Sequence, residues 1–221
     1  MTICPPGHRQ RHDAVTGQSR LSCALDAIDA ANRQDPNMEA VGDQTLPREY
    51  AYSLHMTRWL HALEAQPTER MEIACRAQHI ERWTRPRANF PMGRKGYYQW
   101  RQDCGRFHGE RAAEIMAACG YPQEECERVS IILTKRELRH DPDTQLLEDV
   151  ACLVFLERYF AEFYDDNPDY DREKWLRIVR RTWAKMTPRA HKAALPLAGA
   201  LPAHLQALLD EALAEGGTRQ N

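Results

Sequence analysis

The sequence has no long hydrophobic segment. Its longest apolar run without proline is seven residues, from Val150 to Leu156, whereas a helix that crosses a bilayer needs about 20. The first twenty residues include Pro5 and Pro6 and lack the apolar core of a secretory signal. We therefore predict neither a transmembrane span nor a secretory signal, and we expect a cytoplasmic protein.

The chain also lacks a large excess of charge of one sign. Its 221 residues include 30 Lys and Arg against 32 Asp and Glu, which gives a formal net charge of −2. This balance excludes a surface covered in basic groups, so any site for a polyanion has to be local. With 43% hydrophobic and 28% charged residues, the composition is typical of a globular protein of ordinary domain size.

The seven cysteines include no Cys-x-x-Cys pair. Their odd number and scattered positions argue against a disulfide framework or a zinc ribbon. Cys119 and Cys126 flank a turn, and Cys4 lies near His8 and His12, but neither group supplies four metal ligands. We predict that most of the cysteines are small buried apolar side chains.

Alternating β-branched patterns, which are typical of strands, are nearly absent, and Ala, Leu, Glu and Arg dominate. Apolar spacing, caps and prolines predict helices over the following ranges: 22–33, 47–64, 68–83, 107–119, 122–135, 141–164, 169–186 and 202–214. The helix that contains the seven-residue apolar run should be central and buried. We expect an all-α, single-domain helical bundle over 22–215, preceded by a disordered extension over 1–21 and followed by a tail over 216–221.

Four ionisable residues occupy the apolar faces of separate predicted helices: His55, His79, His108 and Asp149. A carboxylate in such a position is costly unless a metal, a cation or hydrogen bonds compensate it. Each residue alone is also explained as a buried polar group that bridges helices. Three histidines and one aspartate facing inward together are what a helical bundle needs to build a metal or acid–base site.

The sequence motifs around these residues resemble the HD superfamily of helical metal-dependent phosphohydrolases over about residues 48–160. The motifs are Tyr-Ser-Leu-His-Met at His55, Ala-Cys-Arg-Ala-Gln-His at His79, Phe-His-Gly-Glu-Arg at His108 and Leu-Glu-Asp-Val-Ala at Asp149. The resemblance implies an HD-like core and a metal-dependent hydrolase. Its substrate would be a small phosphorylated or nucleotide-like molecule.

One residue departs from the HD pattern. Ile80 stands where that family carries the aspartate of its His-Asp pair, which normally bridges two metals. On a helix, Glu81 would lie about 200° around from His79 and could not replace it. This argues against a binuclear site. A single Zn²⁺, Fe²⁺, Mn²⁺ or Co²⁺ ion held by the three histidines and Asp149 remains the metal hypothesis, and a protein without a metal is the alternative.

A closer resemblance is to a family of bacterial and fungal proteins known only as a domain of unknown function. The segments that carry it run from Ala77 to Trp83, from Phe90 to Arg94 and from Leu147 to Glu157, and it covers Ala24 to about Leu213. Some fungal members carry a glutamyl-tRNA synthetase label. The present chain has neither the nucleotide-binding signature nor the length for that activity.

Residues 76–111 form a basic segment, with nine basic residues against three acidic ones. Aromatic residues lie between the charges, and because the segment includes His79 and His108 we infer that it forms a binding wall for phosphate or carboxylate. A solvated helix face anchored by aromatics is the alternative interpretation. The candidate ligand-binding residues are Arg82, Arg94, Lys95, Tyr97, Trp100 and Lys135; a lysine that favours the helix dipole is the other interpretation of Lys135.

Two hypotheses of function follow. In the first, the metal activates water for hydrolysis, the basic residues and Lys135 steady the anion, and His108 is either a ligand or the general acid or base. In the second, a non-catalytic module of HD origin binds an anionic metabolite or an RNA end, with a small anion favoured over nucleic acid. An iron oxygenase of HD type is a third idea, and the missing bridging carboxylate counts against it.

Overall fold

The computed structural model describes residues 18–217, and most of them are helical. The α-helices are α1 (Arg20–Asn32), α2 (Arg48–Leu63), α3 (Glu69–Arg76), α4 (Gly93–Ala118), α5 (Gln123–Thr134), α6 (Pro142–Val154), α7 (Phe160–Asp165), α8 (Arg172–Trp183), α9 (Pro188–Ala198) and α10 (Ala203–Gly217). The all-α prediction is confirmed. Within the described residues no helix is both long enough and apolar enough to span a membrane.

Several helices begin at side-chain caps that the sequence makes visible. Ser19, Thr68, Asp141, Asp171 and Thr187 each accept a hydrogen bond from a backbone N–H in the first turn of the following helix. Such caps satisfy donors that have no partner inside the helix. Helix α1 begins at Arg20, two residues before the predicted start at residue 22. Residues 1–17 of the predicted extension lie outside the described part of the chain.

Helix α6 is the central helix, as predicted from its apolar run. Its buried residues include Leu147, Val150, Leu153 and Val154. A five-residue π-helical turn, Phe155–Tyr159, joins it to α7. The main core cluster packs around α6, and a second cluster joins α7, α8 and α10.

The helix predicted over 68–83 is shorter in the structure. Helix α3 ends at Arg76, and Glu81 adopts a left-handed backbone conformation with φ 50°. Two 3₁₀ turns, Arg82–Thr84 and Arg87–Asn89, follow before α4. His79 and Glu81 thus lie on a loop, so the predicted angle of about 200° between them on a helix is wrong. The Glu81 carboxylate pairs with Arg111 at 3.1 Å.

Helix α4 begins at Gly93, whereas the sequence predicted a helix only from residue 107. It therefore also includes residues 93–106. Gly96 makes this start feasible, because a Cβ there would lie 1.8 Å from the carbonyl oxygen of Pro91. Gly109 allows a second close approach, since a Cβ there would lie 2.9 Å from the Ser130 carbonyl oxygen on α5. The two glycines bring the preceding loop and α5 directly against α4.

Two elements were missed from the sequence. The first is a hairpin of β1 (Met38–Val41) and β2 (Gln44–Pro47), antiparallel, with Val41 opposite Gln44. Its strands contain few β-branched residues, although the two-residue turn that begins at Gly42 is a hairpin signal. The second is α9, which contains Pro196 in its interior, and an internal proline argues against a helix.

The cysteines divide into two groups. Cys75, Cys104, Cys126 and Cys152 are free and buried, as predicted for small apolar side chains. The sequence did not indicate one disulfide, which joins Cys23 on α1 and Cys119 after α4 across 96 residues of sequence. Tertiary packing brings these two helices together, and the spacing of the cysteines carries no sign of it. Cys4 lies outside the described residues.

Candidate anion-binding site

The loop after α3, the helix α4 and the end of α5 form most of the wall of a cavity of about 460 Å³. Glu148 on α6 and Lys185 after α8 complete it. The lining includes the polar and charged residues Gln78, His79, Arg82, Arg101, His108, Lys135, Glu148 and Lys185, and the aromatic residues Tyr97, Tyr98 and Trp100. Residues from five separate parts of the chain therefore share one cavity.

Four cationic side chains line this cavity against a single carboxylate. Arg82, Arg101, Lys135 and Lys185 are the cations, and Glu148 is the carboxylate. Glu148 is 4% exposed and contacts two of them, with Lys135 Nζ 2.8 Å from Oε2 and Lys185 Nζ 2.9 Å from Oε1. These ammonium groups hold the pKa of Glu148 well below its ordinary range despite its burial. The wall retains a clear excess of positive charge.

Lys135 is held in a strained backbone conformation. It caps α5 with φ 54°, in the left-handed region that usually belongs to glycine. A side chain in this region costs on the order of 1 kcal/mol. Its side chain is only 13% exposed and faces the cavity and Glu148. The strained turn thus places an ammonium group where it is largely shielded from water.

The imidazole of His79 is enclosed between an aromatic ring and a guanidinium group. Tyr52 on α2 stacks on one face, with ring centroids 4.0 Å apart and planes 13° apart. Arg82 Nη1 lies 3.1 and 3.2 Å from the two ring nitrogens. At these two distances Nη1 cannot lie in the plane of the imidazole, because it would clash with Cε1. Arg82 therefore lies over the face of the ring opposite Tyr52.

This environment keeps His79 neutral. Burial, followed by the charges of Arg82 and Lys135, lowers its pKa well below 6.5. Glu49 Oε2 lies 3.3 Å from Nδ1 on the ring edge. Burial raises the pKa of Glu49 to about 7, against the opposing effects of Arg82 and Arg48. Glu49 and His79 also line a second cavity of about 280 Å³, so His79 stands in the wall between the two.

His108 lies beside His79, with ring centroids 5.9 Å apart. Burial and the neighbouring His79 lower its pKa well below 6.5. The backbone of Gln78 has a small opposing effect that raises this pKa, and Nε2 of the ring is buried without a partner. The Oε1 atom of Gln78 is likewise buried without a partner. Two residues of the cavity wall therefore each hold a polar atom that is buried and has no partner.

The four proposed metal ligands are not all brought together: His79 and His108 lie side by side, but Asp149 and His55 have other partners. Both carboxylate oxygens of Asp149 accept hydrogen bonds from Thr187, at 2.9 Å from its backbone N–H and also from its hydroxyl, and Gln145 Nε2 donates to Oδ1. His55 faces Glu39, with Nε2 3.8 Å from Oε1. Within residues 18–217 no group of three or more His, Cys, Asp or Glu side chains is arranged to hold a metal ion.

The candidate ligand-binding residues also divide. Arg82, Tyr97, Trp100 and Lys135 line the cavity, whereas Arg94 and Lys95 on the first turn of α4 are exposed and are not among its lining residues. Trp100 is fixed by a hydrogen bond of 2.7 Å from Nε1 to the Arg85 carbonyl oxygen. The basic segment contributes to the site only where α4 and its preceding loop face inward.

Sequence reasoning missed Glu49, Tyr52, Gln78, Arg101, Glu148 and Lys185 as site residues. Arg101 had a signal, because it belongs to the basic segment and lies one helical turn after Tyr97. No sequence signal pointed to Glu148 and Lys185, because 37 residues separate them. They meet only because the loop after α8 packs against α6.

A comparison with protein families assigns most of the chain. The family model described as "Domain of unknown function (DUF4202)" matches residues 22–209. The chain belongs to this family. The match confirms the closer of the two resemblances, whereas the HD likeness stays a prediction. No curated protein and no solved structure shows a significant match to this DUF4202 chain.

Proposed function

We propose that the larger cavity binds a small anionic metabolite through its phosphate or carboxylate group. The observation that carries the proposal is the set of four cationic side chains, Arg82, Arg101, Lys135 and Lys185, that share one cavity with a single carboxylate. Arginine and lysine hold such anions by charge-assisted hydrogen bonds. The volume of about 460 Å³ is in the ordinary range for small-molecule sites.

The burial of Lys135 favours a small ligand over a nucleic-acid backbone. Lys135 has 13% of its side chain exposed, and Lys185 has 39%. A phosphate group of a small molecule can enter and reach both, whereas nucleic-acid phosphates are usually met by exposed basic side chains. We therefore propose a small ligand, and RNA binding through the exposed Arg94 and Lys95 is the alternative that an experiment should exclude.

The aromatic residues provide a surface for the uncharged part of the ligand. Tyr97 and Tyr98 are partly exposed at 43% and 47%, and Trp100 lies under the Arg82 guanidinium, which is 5.0 Å from its ring centroid. Aromatic faces beside cationic groups are typical of sites that bind a ligand with both an apolar and a charged part.

The metal-dependent hydrolysis implied by the HD resemblance has less support. The four residues proposed as ligands do not fit one ion, because Thr187 and Gln145 occupy the carboxylate of Asp149 and His55 lies with Glu39. His79 and His108 do lie together on the cavity wall. We therefore propose binding, and we derive no catalytic step through a metal.

Isothermal titration calorimetry with inorganic phosphate and with glycerol 3-phosphate tests the proposal. Arg101→Ala removes an exposed cation that lines the cavity, and Lys95→Ala is its matched control on the same helix outside the cavity. We expect Arg101→Ala to weaken binding about tenfold, as loss of a charge-assisted contact implies, and Lys95→Ala to leave it unchanged. Absence of binding to the wild-type protein, or equal loss in both variants, would overturn the proposal.

A further inference from the structure

We infer that the ligand carries two anionic groups, a phosphate ester and a carboxylate, as in a phosphorylated sugar acid. The inference rests on the proposed anion site and adds to it the charge of the molecule that the site accepts. It is carried by the balance of charges around the larger cavity, which leaves more positive charge than one phosphate group neutralises.

The wall of this cavity has three positive charges in excess, because it combines four cations with one carboxylate. The cations are Arg82, Arg101, Lys135 and Lys185. The carboxylate of Glu148 is ionised despite its burial, because its two ammonium partners hold its pKa well below the ordinary range. The histidines of the wall add no charge, since burial lowers the pKa of both His79 and His108 well below 6.5.

Within residues 18–217 neither arginine of the wall forms an ion pair with a carboxylate. The Arg82 guanidinium lies over the Trp100 ring, 5.0 Å from its centroid. The Arg101 guanidinium lies 6.0 Å from the centroid of Tyr97. Glu49 interacts with Arg82 from the second cavity, but burial raises its pKa to about 7, so it offsets that charge only in part at neutral pH.

The cations keep hydrogen-bond donors for a ligand. An ammonium group has three N–H donors, and Lys135 and Lys185 each approach Glu148 at a single oxygen, at 2.8 and 2.9 Å. Both side chains line the cavity and are partly accessible, with 13% and 39% of their surface exposed. Arg101 is exposed and forms no hydrogen bond within the described part of the chain.

A phosphate ester alone does not match the charge of the wall. It carries about 1.5 to 2 negative charges at pH 7, so roughly one positive charge remains. An uncompensated charge is costly where water is partly excluded, and the side chain of Lys135 is in such a position. A carboxylate on the same molecule supplies the missing negative charge, and both lysine and arginine bind carboxylates by charge-assisted hydrogen bonds.

Two matched pairs of probes measure the contribution of the carboxylate. The compounds 3-phosphoglycerate and glycerol 3-phosphate share a phosphorylated three-carbon chain, and only the first ends in a carboxylate. The compounds 6-phosphogluconate and glucitol 6-phosphate are the corresponding six-carbon pair, so a short and a long spacing are both covered. In at least one pair we expect the wild-type protein to bind the acid at least tenfold more tightly by calorimetry, as one added charge-assisted contact implies.

Removing one cation of the wall should remove this preference. Arg101→Ala changes an exposed residue of α4, and Lys185→Met leaves Glu148 paired with Lys135. With one positive charge fewer, the phosphate group alone nearly neutralises the wall, so the preference for the acid should fall severalfold in both variants. Lys95→Ala, on the same helix and outside the cavity, is the matched control and should keep the preference.

The outcomes distinguish this inference from the proposed function. Equal binding of the acid and the alcohol in both pairs would overturn the inference and leave the anion site standing. A full preference in Arg101→Ala or Lys185→Met, or its loss in Lys95→Ala, would overturn the inference as well. Failure of inorganic phosphate and of all four esters to bind would overturn the proposed function itself.

Discussion

Lys135 Nζ lies 2.8 Å from Glu148 Oε2 in the wall of the larger cavity. The second oxygen of the same carboxylate pairs with Lys185. Glu148 thus gathers two ammonium groups from distant parts of the chain, and because it can neutralise only one of them, the wall keeps an excess of positive charge. The anion site that we propose depends on this arrangement.

The backbone of Lys135 provides a test that separates binding from folding. Lys135→Gly and Lys135→Ala both remove the ammonium group, but only glycine adopts φ 54° without strain. We expect the glycine variant to be more stable than the alanine variant by about 1 kcal/mol in urea denaturation. Both variants should lose phosphate binding to the same extent. Equal stabilities would contradict the strained conformation, and retained binding would contradict the role of the ammonium group.

The carboxyl group of Glu49 makes stability depend on pH. Its pKa is raised from 4.5 to about 7, so between these values the folded state keeps a proton that the unfolded state has lost, and stability falls as pH rises. At about 1.4 kcal/mol per pKa unit, the loss amounts to about 3 kcal/mol by pH 8. Glu49→Gln cannot titrate, so its stability relative to the wild type should rise by this amount between pH 4.5 and pH 8.

The measurement for Glu49→Gln is urea denaturation of both proteins across this pH range. Burial lowers the pKa of both His79 and His108, which makes both proteins less stable at low pH, so the result is read as the difference between the two proteins. A difference that does not change with pH would show that Glu49 titrates normally in the folded protein.

Asp149 is expected to act as a structural anchor for α9. It is fully buried and accepts hydrogen bonds from Thr187 and Gln145. In Asp149→Asn an amide nitrogen replaces one of the two accepting oxygens, so at least one donor of Thr187 or Gln145 loses its acceptor, and we expect a loss of about 2–4 kcal/mol of unfolding free energy. A double-mutant cycle with Thr187→Ala should show strong coupling. A fully stable Asp149→Asn variant that had lost affinity for Zn²⁺ would instead support a metal ligand.

Much of the helical order was predictable, and its boundaries at the site were not. Caps such as Asp141 and Thr68, and the apolar run of α6, are local signals that the sequence displays. The left-handed residue Glu81, which lies between α3 and α4, has no such signal, because its conformation depends on contacts such as the ion pair with Arg111. For this reason His79 was expected on a helix and lies on a loop.

The candidate site shows the same division. Histidines on apolar faces and basic residues near aromatics pointed to His79, His108, Arg82 and Trp100, all of which line the cavity. Asp149 has the same kind of position in the sequence, and its partner Thr187 lies 38 residues later. Spacing along one helix shows that a polar group is buried, but it does not show which distant residue satisfies it.

The disulfide between Cys23 and Cys119 gives a prediction about redox conditions. It closes a loop across 96 residues, and we expect its removal in Cys23→Ser/Cys119→Ser to cost roughly 2–4 kcal/mol in denaturation under oxidising conditions. Reductant should destabilise the wild type and leave the double variant unchanged. A wild type insensitive to reductant would contradict the pairing. Structural disulfides are rare in the cytosol, so this measurement also bears on the expected cytoplasmic location.

The most direct test of the anion site is a titration of the ¹⁵N-labelled protein with inorganic phosphate, followed by nuclear magnetic resonance. We expect the largest amide shifts at Gly105, Thr134 and Lys135, which line the cavity, and little change along α8, where Arg177 and Arg181 form a separate basic surface. Shifts confined to α8, or no saturable shifts at all, would contradict the account.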